Sequence, residues 1–326
     1  MSSRPVLVWA SARQKARYAR ALERVERRLD AIATVPSGAL GEACRMTLAA
    51  GGKRVRPLLT LLCARTGVAL CDSVFRGATA VELVHMATLV HDDVLDRAEL
   101  RRGRPTVAHA FGVEIAVSAG NYLLARAFQE LAESGDAAAV DALSAAAVGL
   151  SEGEVLQRDD SHRLTVSVEE YERRCERKTA DLFAGACRLG ALLGDAPEAA
   201  PALAEYGRLI GLAFQVFDDI LDCSGDERAT GKRPGTDVRD GTVTLPMIYA
   251  LEEEPALAPL LARPGLTAAE VDEALRLIAA SGALGRARGV ALGYIEQART
   301  VLAACPGPVE RGLLGQVAAQ VVDRYS

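Results

Sequence analysis

Three carboxylates, Asp92, Asp93 and Asp96, stand within five positions of an apolar run, LVHDDVLD at 89–96. The same spacing returns 126 positions later as Asp218, Asp219 and Asp222 in FQVFDDILD at 214–222. Like charges one helical turn apart destabilise a helix by roughly 0.2–0.5 kcal/mol per pair, so a chain that repeats the pattern must gain something that offsets it. Positions i and i+4 of a helix share a face. Asp92 therefore projects with Asp96, and Asp218 with Asp222, while Asp93 and Asp219 sit about a quarter-turn aside. Carboxylate oxygens suit hard cations, and Mg²⁺ is commonly held by one or two carboxylates together with substrate phosphates. Two such clusters facing one another could hold several Mg²⁺ ions around one polyphosphate. A solvated acidic face is the plainer explanation of one cluster; two, each in apolar sequence and each followed by a basic loop, argue against it.

Phosphate needs positive charge, and four segments supply it. GGKRVRP at 51–57 joins a pliable Gly51–Gly52 pair to Lys53, Arg54 and Arg56. RRGRPT at 101–106 follows the first acidic cluster and offers Arg101 and Arg102 for bidentate contacts. RKTA at 177–180 carries Lys178 and Thr179, and TGKRPGTD at 230–237 carries Lys232 between Gly231 and Gly235. His85 lies two helical turns before Asp92, on the same face. Leu89, Val90, Phe214, Val216, Phe217 and Ile220 interleave the carboxylates. A metal–phosphate rim over a greasy interior suits an isoprenoid diphosphate.

Helices must position these groups. Apolar periodicity predicts helices at 10–33, 37–50, 57–67, 72–97, 113–133, 136–156, 168–193 and 197–222, then at 244–254, 268–281, 285–303 and 307–325. Strand alternation is nearly absent. Pro57 suits a first helical turn, Ser167/Glu170 and Thr267/Glu270 have capping-box spacing, and Gly67 and Gly194 stand where C-terminal caps belong. The expectation is an all-α helical bundle around a central cavity, one domain over 1–326 without a linker, with an N-terminal helix within 1–35 that is a candidate for dimer contacts. The formal charge of −5 and pI near 5.6 disfavour nucleic acid as a partner. Seven Cys without a CxxC pair point to reduced thiols of a cytoplasmic protein and away from structural zinc. No apolar run reaches membrane-span length, and the Arg-rich start at 13–28 lacks the apolar core of a signal peptide.

With these residues in hand, the chain resembles the trans-type polyprenyl (isoprenyl) diphosphate synthases. GGKRVRP, HDDVLD with RRGRPT, KTA, and FQVFDDILD with GKRPGTDVRDGTVTLP follow the family's order across nearly the whole chain. The resemblance implies the isoprenoid-synthase fold, a homodimer, and Mg²⁺, three ions bridging carboxylates and diphosphate. It implies 1′–4 condensation of an allylic diphosphate with isopentenyl diphosphate. The six Asp residues become the metal side. Arg101, Lys178 and Lys232 would hold the allylic diphosphate; Lys53, Arg56, His85 and Arg102 would hold isopentenyl diphosphate. Lys178, Thr179 and Gln215 would be catalytic, Thr179 and Gln215 facing the developing allylic cation. Thr236 and Thr242 stand where the family often has Lys, and Asn121 where it often has Asp; none removes a metal ligand.

Two other functions compete. A class I terpene cyclase also ionises diphosphates but needs no second anion site. A non-catalytic subunit of a heteromeric prenyl synthase commonly lacks an acidic cluster, and both are intact here. Within the family, residues four and five before the first cluster often floor the elongation pocket. Here they are Thr88 and Ala87, with Val84 a turn further down, all modest in size. The product is therefore expected to exceed C20. Ala87→Phe should shorten it by at least one C5 unit, read by mass spectrometry of the products; an unchanged length would remove these positions from length control.

Overall fold

The computed structural model describes residues 10–224 and 234–323. Among them the only strands are a pair of two residues each, and the rest of the regular structure is helical, as the periodicity requires. Helix α1 (Ala12–Thr34) starts at a capping box in which Ser11 and Gln14 satisfy one another's backbone N–H groups. It buries Tyr18, Ala21, Val25, Leu29 and Ile32, a stripe at steps of three and four. Next come α2 (Gly38–Ala49), α3 (Val55–Leu62) and α4 (Asp72–Leu95). Helix α4 is buried on most of its circumference and packs against α1, α3 and a later helix, α6 (Val113–Ala132), which follows the short α5 (Val107–Phe111). The first acidic cluster thus rides on a largely buried helix.

Helices α7 (Ala137–Asp159), α8 (Val168–Cys175), α9 (Asp181–Leu193) and α10 (Ala200–Ser224) follow. Short helices Thr236–Asp240 and Leu245–Glu253 and the longer Ala268–Ala280, Ala283–Ala304 and Arg311–Asp323 complete the described chain. Both expected capping boxes, Ser167/Glu170 and Thr267/Glu270, are formed. The residues gather into two compact units. One comprises Met1–Ala147, Leu182–Gly207 and Val301–Val317; the other comprises Val148–Asp181, Arg208–Thr300 and Ala318–Ser326. Each is assembled from non-contiguous segments, which is why the sequence offers no linker. Among the described residues no helix is long and apolar enough to cross a membrane. All seven Cys are free thiols, six of them buried and Cys71 exposed.

Three local expectations need correction. Helix α3 ends at Leu62, not 67, because Arg65 and Thr66 donate their N–H groups to the carbonyls of Gly194 and Pro308 and so leave the helical ladder. Gly194 is not the left-handed cap of α9. Asp195 takes the positive φ of 58°, and Ala196 N–H closes back on Ala191. Gly194 is needed instead for close approach, since a Cβ there would lie 2.4 Å from that of Ala64. The helix read over 168–193 is interrupted by a π turn at Glu176–Ala180.

Arg54 opens α3 in a left-handed conformation (φ 51°) and reaches the buried carboxylate of Glu82 on α4 at 2.6 Å and that of Glu26 on α1 at 2.6 Å. This pairing makes Arg54 a structural residue. Removing one partner of a buried pair strands the other, at a cost of about 3–5 kcal/mol. With Glu26 still present, Glu82→Ala should fall near the lower end, about 3 kcal/mol by urea denaturation.

Candidate active site

The first cluster closes α4. Asp96 is its C-cap, Asp93 is buried, and Asp92 is half-buried. The C-terminal end of a helix carries partial negative charge, so carboxylates are unfavourable there beyond their mutual repulsion. The described chain answers with Arg101, whose Nε donates to Asp93 at 2.7 Å. Burial still pushes the Asp93 carboxyl above its ordinary range, against the pull of Arg101. Arg101 is set by an antiparallel hairpin, β1 (Leu100–Arg101) and β2 (Arg104–Pro105). Its two-residue turn, Arg102–Gly103, has φ of 53° and 72°, the doubly positive pattern that matches strand twist. The segment read as a polar loop is therefore a tight arm.

Arg102 donates to the Gly51 carbonyl at 2.5 Å and Arg104 to that of Ala49 at 2.8 Å, which docks the arm on the end of α2 and the GGKR segment. Arg56 stacks on Phe183, 4.5 Å from the ring centre, and its buried Nε has no hydrogen-bond partner. Burial lowers its pKa to about 10, partly opposed by Glu82. His85 is half-buried, and burial together with Arg56, Arg102, Arg54 and Arg101 holds its pKa well below the ordinary value. A neutral imidazole among four guanidinium groups, one with an orphaned N–H, is built for an anion.

The second cluster lies near the end of α10. Asp219 is buried; its Oδ2 accepts from Tyr171 at 2.6 Å and its Oδ1 from Gln215 at 2.8 Å. Burial raises its pKa to about 7, with Asp218 adding to the rise and Tyr171 and Gln215 opposing it. Asp222 accepts the backbone N–H groups of Thr236 and Asp237 at 3.1 and 2.9 Å, so it caps the short helix Thr236–Asp240. Asp218 is exposed. A cavity within this unit is lined by Lys178, Thr179, Gln215 and Asp219, four of the expected site residues, and by Thr242. The π turn presents Lys178 and Thr179 to it. Lys178 pairs with Glu154 of α7, and Thr179 donates to Gln215 at 2.7 Å. Gly153 makes room: a Cβ there would lie 2.4 Å from the Lys178 backbone nitrogen. Lys232 lies outside the described residues.

Comparison with known proteins settles the class. The family model described as polyprenyl synthetase matches residues 38–278. The chain belongs to the polyprenyl synthetase family. It is 40% identical over 305 residues to a protein of Geobacillus stearothermophilus named heptaprenyl diphosphate synthase component 2, covering 93% of this chain and 95% of the relative. It is 38% identical over 294 residues to the geranylgeranyl diphosphate synthase of Methanosarcina mazei, covering 87% and 90%. Its fold matches the crystal structure of a Caulobacter crescentus polyprenyl synthase, complexed with calcium and isoprenyl diphosphate, with a TM-score of 0.84 and 36% identity, covering 96% of each chain. The isoprenoid-synthase fold and enzymatic nature of this synthase follow from these matches.

Several residues of the synthase site escape sequence reasoning. Tyr171, Glu154 and Gly153 sit in ordinary helical sequence, and only tertiary contact reveals them. Asp237 was legible in part, as an acid directly after Gly235 and Thr236. It lines the cavity, and burial, then Asp222, Asp219 and Asp218, push its carboxyl well up. These carboxylates fit a hard divalent cation: every donor is oxygen, and their mutual repulsion is what such an ion relieves. Among the described residues no three His, Cys, Asp or Glu side chains converge as a preformed metal cage.

The neutral state of His85 has a consequence for stability. The unfolded chain takes up a proton near the ordinary His pKa of 6.5, whereas the folded site resists it. The stabilisation is whole above about pH 6.5 and is lost as pH falls toward the depressed folded value. His85→Gln should flatten the acid limb of denaturation midpoint against pH, while midpoints above pH 7 keep a constant offset from the wild type.

Proposed function

We propose that this synthase joins an allylic diphosphate to isopentenyl diphosphate, head to tail, with Mg²⁺, and that its all-trans product exceeds C20. The observation that carries the two-substrate reading is the anion site at Arg56 and His85: an orphaned, buried guanidinium N–H beside a neutral imidazole. An enzyme that only cyclises one diphosphate has no use for it. In this reading Lys53, Arg56, His85 and Arg102 hold isopentenyl diphosphate, while Arg101, Lys178 and Lys232 hold the allylic diphosphate. Asp92, Asp93, Asp96, Asp218, Asp219 and Asp222 hold Mg²⁺, and residues 1–326 act as one catalytic domain in a homodimer.

Mg²⁺, when bound, offsets the charge that builds on the departing diphosphate. Lys178 and Arg101 add to this as fixed cations, which need little rearrangement as the C1′–O bond breaks. Thr179 and Gln215 present oxygens toward the positive charge left on the allylic carbon. The C4 carbon of isopentenyl diphosphate attacks C1′, the new C–C bond forms, and a proton leaves C2. Among the described residues no side chain is placed as an obvious base, and the released diphosphate is the proton acceptor. Dry apolar walls keep water from the cation. Small residues at Val84, Ala87 and Thr88 favour a deep tunnel. The relatives' names, heptaprenyl and geranylgeranyl, stand on both sides of the length question.

One relative is called a component 2, which supports a second reading: the chain is the catalytic component of a two-chain synthase. Assay of the purified protein with Mg²⁺, isopentenyl diphosphate and C10, C15 or C20 starters separates the two. Products growing in C5 steps from the protein alone support the first reading, and growth only with an added partner the second; cyclic hydrocarbon would overturn both. Arg56→Ala should raise KM for isopentenyl diphosphate about tenfold or more, the loss of one charge-assisted contact, with KM for the starter unchanged.

A further inference from the structure

We propose that Tyr171 is a positioning residue that, through Asp219 and Gln215, fixes the orientation of the Thr179 hydroxyl toward the reacting allylic carbon. The proposal rests on the prenyl-transfer reading and deepens it. Four side chains form one chain of hydrogen bonds in the second compact unit: Tyr171 Oη to Asp219 Oδ2 at 2.6 Å, Gln215 Nε2 to Asp219 Oδ1 at 2.8 Å, and Thr179 Oγ1 to Gln215 Oε1 at 2.7 Å. All four line the same cavity.

The polarity of this chain follows from what each group is able to do. A carboxylate only accepts, and an amide has one donating and one accepting end. With Asp219 accepting, Gln215 must turn its NH₂ to Asp219 and its carbonyl oxygen to Thr179. That carbonyl has no proton, so Thr179 must donate its own. The hydroxyl proton is thereby committed to the Gln215 oxygen, and the lone pairs of the Thr179 oxygen remain for the cavity. An oxygen held in that sense stabilises a cation without reorienting, which is how preorganised dipoles lower a barrier. Tyr171 is fully buried in the middle of α8 and gives its one proton to Asp219. It holds the carboxylate in the rotamer from which Oδ1 reaches Gln215. Without it, Asp219 can swing, the Gln215 amide can flip, and the Thr179 proton can point at the cation.

The test compares Tyr171→Phe, Thr179→Val, Thr179→Ser and the double variant Tyr171→Phe/Thr179→Val with the wild type. Tyr171→Phe and Thr179→Val should each lower kcat about tenfold or more, with KM for both diphosphates and the half-saturating Mg²⁺ concentration within about twofold; Thr179→Ser, which restores a hydroxyl, should recover most of the kcat that Thr179→Val loses. The double variant should be no slower than Thr179→Val alone, because the two act through one hydroxyl. Calorimetry gives a readout without turnover. A prenyl ammonium mimic of the cation, added with inorganic diphosphate, should bind both variants about tenfold more weakly, while a non-ionisable thiodiphosphate analogue binds unchanged.

Additive losses in the double variant, or a shifted Mg²⁺ requirement in Tyr171→Phe, would overturn the relay and place Tyr171 with the acidic cluster. A lowered melting temperature with kcat intact would make it structural only. A wild-type protein without condensing activity would overturn the prenyl-transfer reading itself. The mimic would then bind no better than the thiodiphosphate analogue even in the wild type, so the two failures are distinguishable.

Discussion

The constraint on which the site depends is the placement of carboxylates where helices least tolerate them. Asp92, Asp93 and Asp96 close α4, and Asp218, Asp219 and Asp222 lie in the last two turns of α10. Each group meets its neighbours' charge and the negative end of the helix dipole. The fold compensates unevenly. In each cluster the middle Asp is buried and tied to protein donors: Asp93 to Arg101, Asp219 to Tyr171 and Gln215. The flanking i, i+4 pair stays more accessible. Internal donors thus tie the middle carboxylate of each cluster, and in the second cluster two backbone N–H groups tie Asp222 as well.

The positive side is apportioned by the same logic. GGKRVRP and RRGRPT look like uniform basic patches, but their arginines have separate duties. Arg54 joins α1, α3 and α4 through Glu26 and Glu82; Arg101 steadies Asp93; Arg104 docks the hairpin on the last carbonyl of α2, and Arg102 docks it on the Gly51 carbonyl beyond that helix. These bonds bring positive charge around His85, and burial, reinforced by that charge, keeps the imidazole neutral. Arg56 differs from them: it stacks on Phe183, and its buried Nε–H has no hydrogen-bond partner within the described chain. A composition-level count of positive charge would have weighted all of them equally.

What the sequence disclosed follows from how local each signal is. The acidic spacing, the apolar helical period and the capping boxes are complete within a few residues, so the all-α fold and both clusters were legible. Helix α1 and the boxes at Ser167 and Thr267 formed where expected. The hairpin was half-legible: Gly103 marks a turn, but Arg102 adopts positive φ only with Gly51 and Ala50 carbonyls to receive its guanidinium. The end of α3, the αL conformation of Asp195 and the partners of Asp219 depend on residues far away in sequence. Tyr171 reads as one more core aromatic until Asp219, 48 positions on, comes within 2.6 Å.

The π turn at Glu176–Ala180 shows why one local irregularity matters for chemistry. Asp181 N–H closes on the Glu176 carbonyl, so the turn holds an extra residue. A wider turn lessens the angle between successive side chains, and Lys178 and Thr179 both reach one cavity where a regular α-helix would splay them by about 100°. The wider turn also bulges outward, and Gly153 of α7 lacks the side chain that the bulge would strike. The next residue, Glu154, then meets the Lys178 ammonium. Gly153 and Glu154 thus set the backbone and the charge of Lys178 from one helix. The KTA motif reaches the cavity because α7 is shaped to receive the turn that carries it.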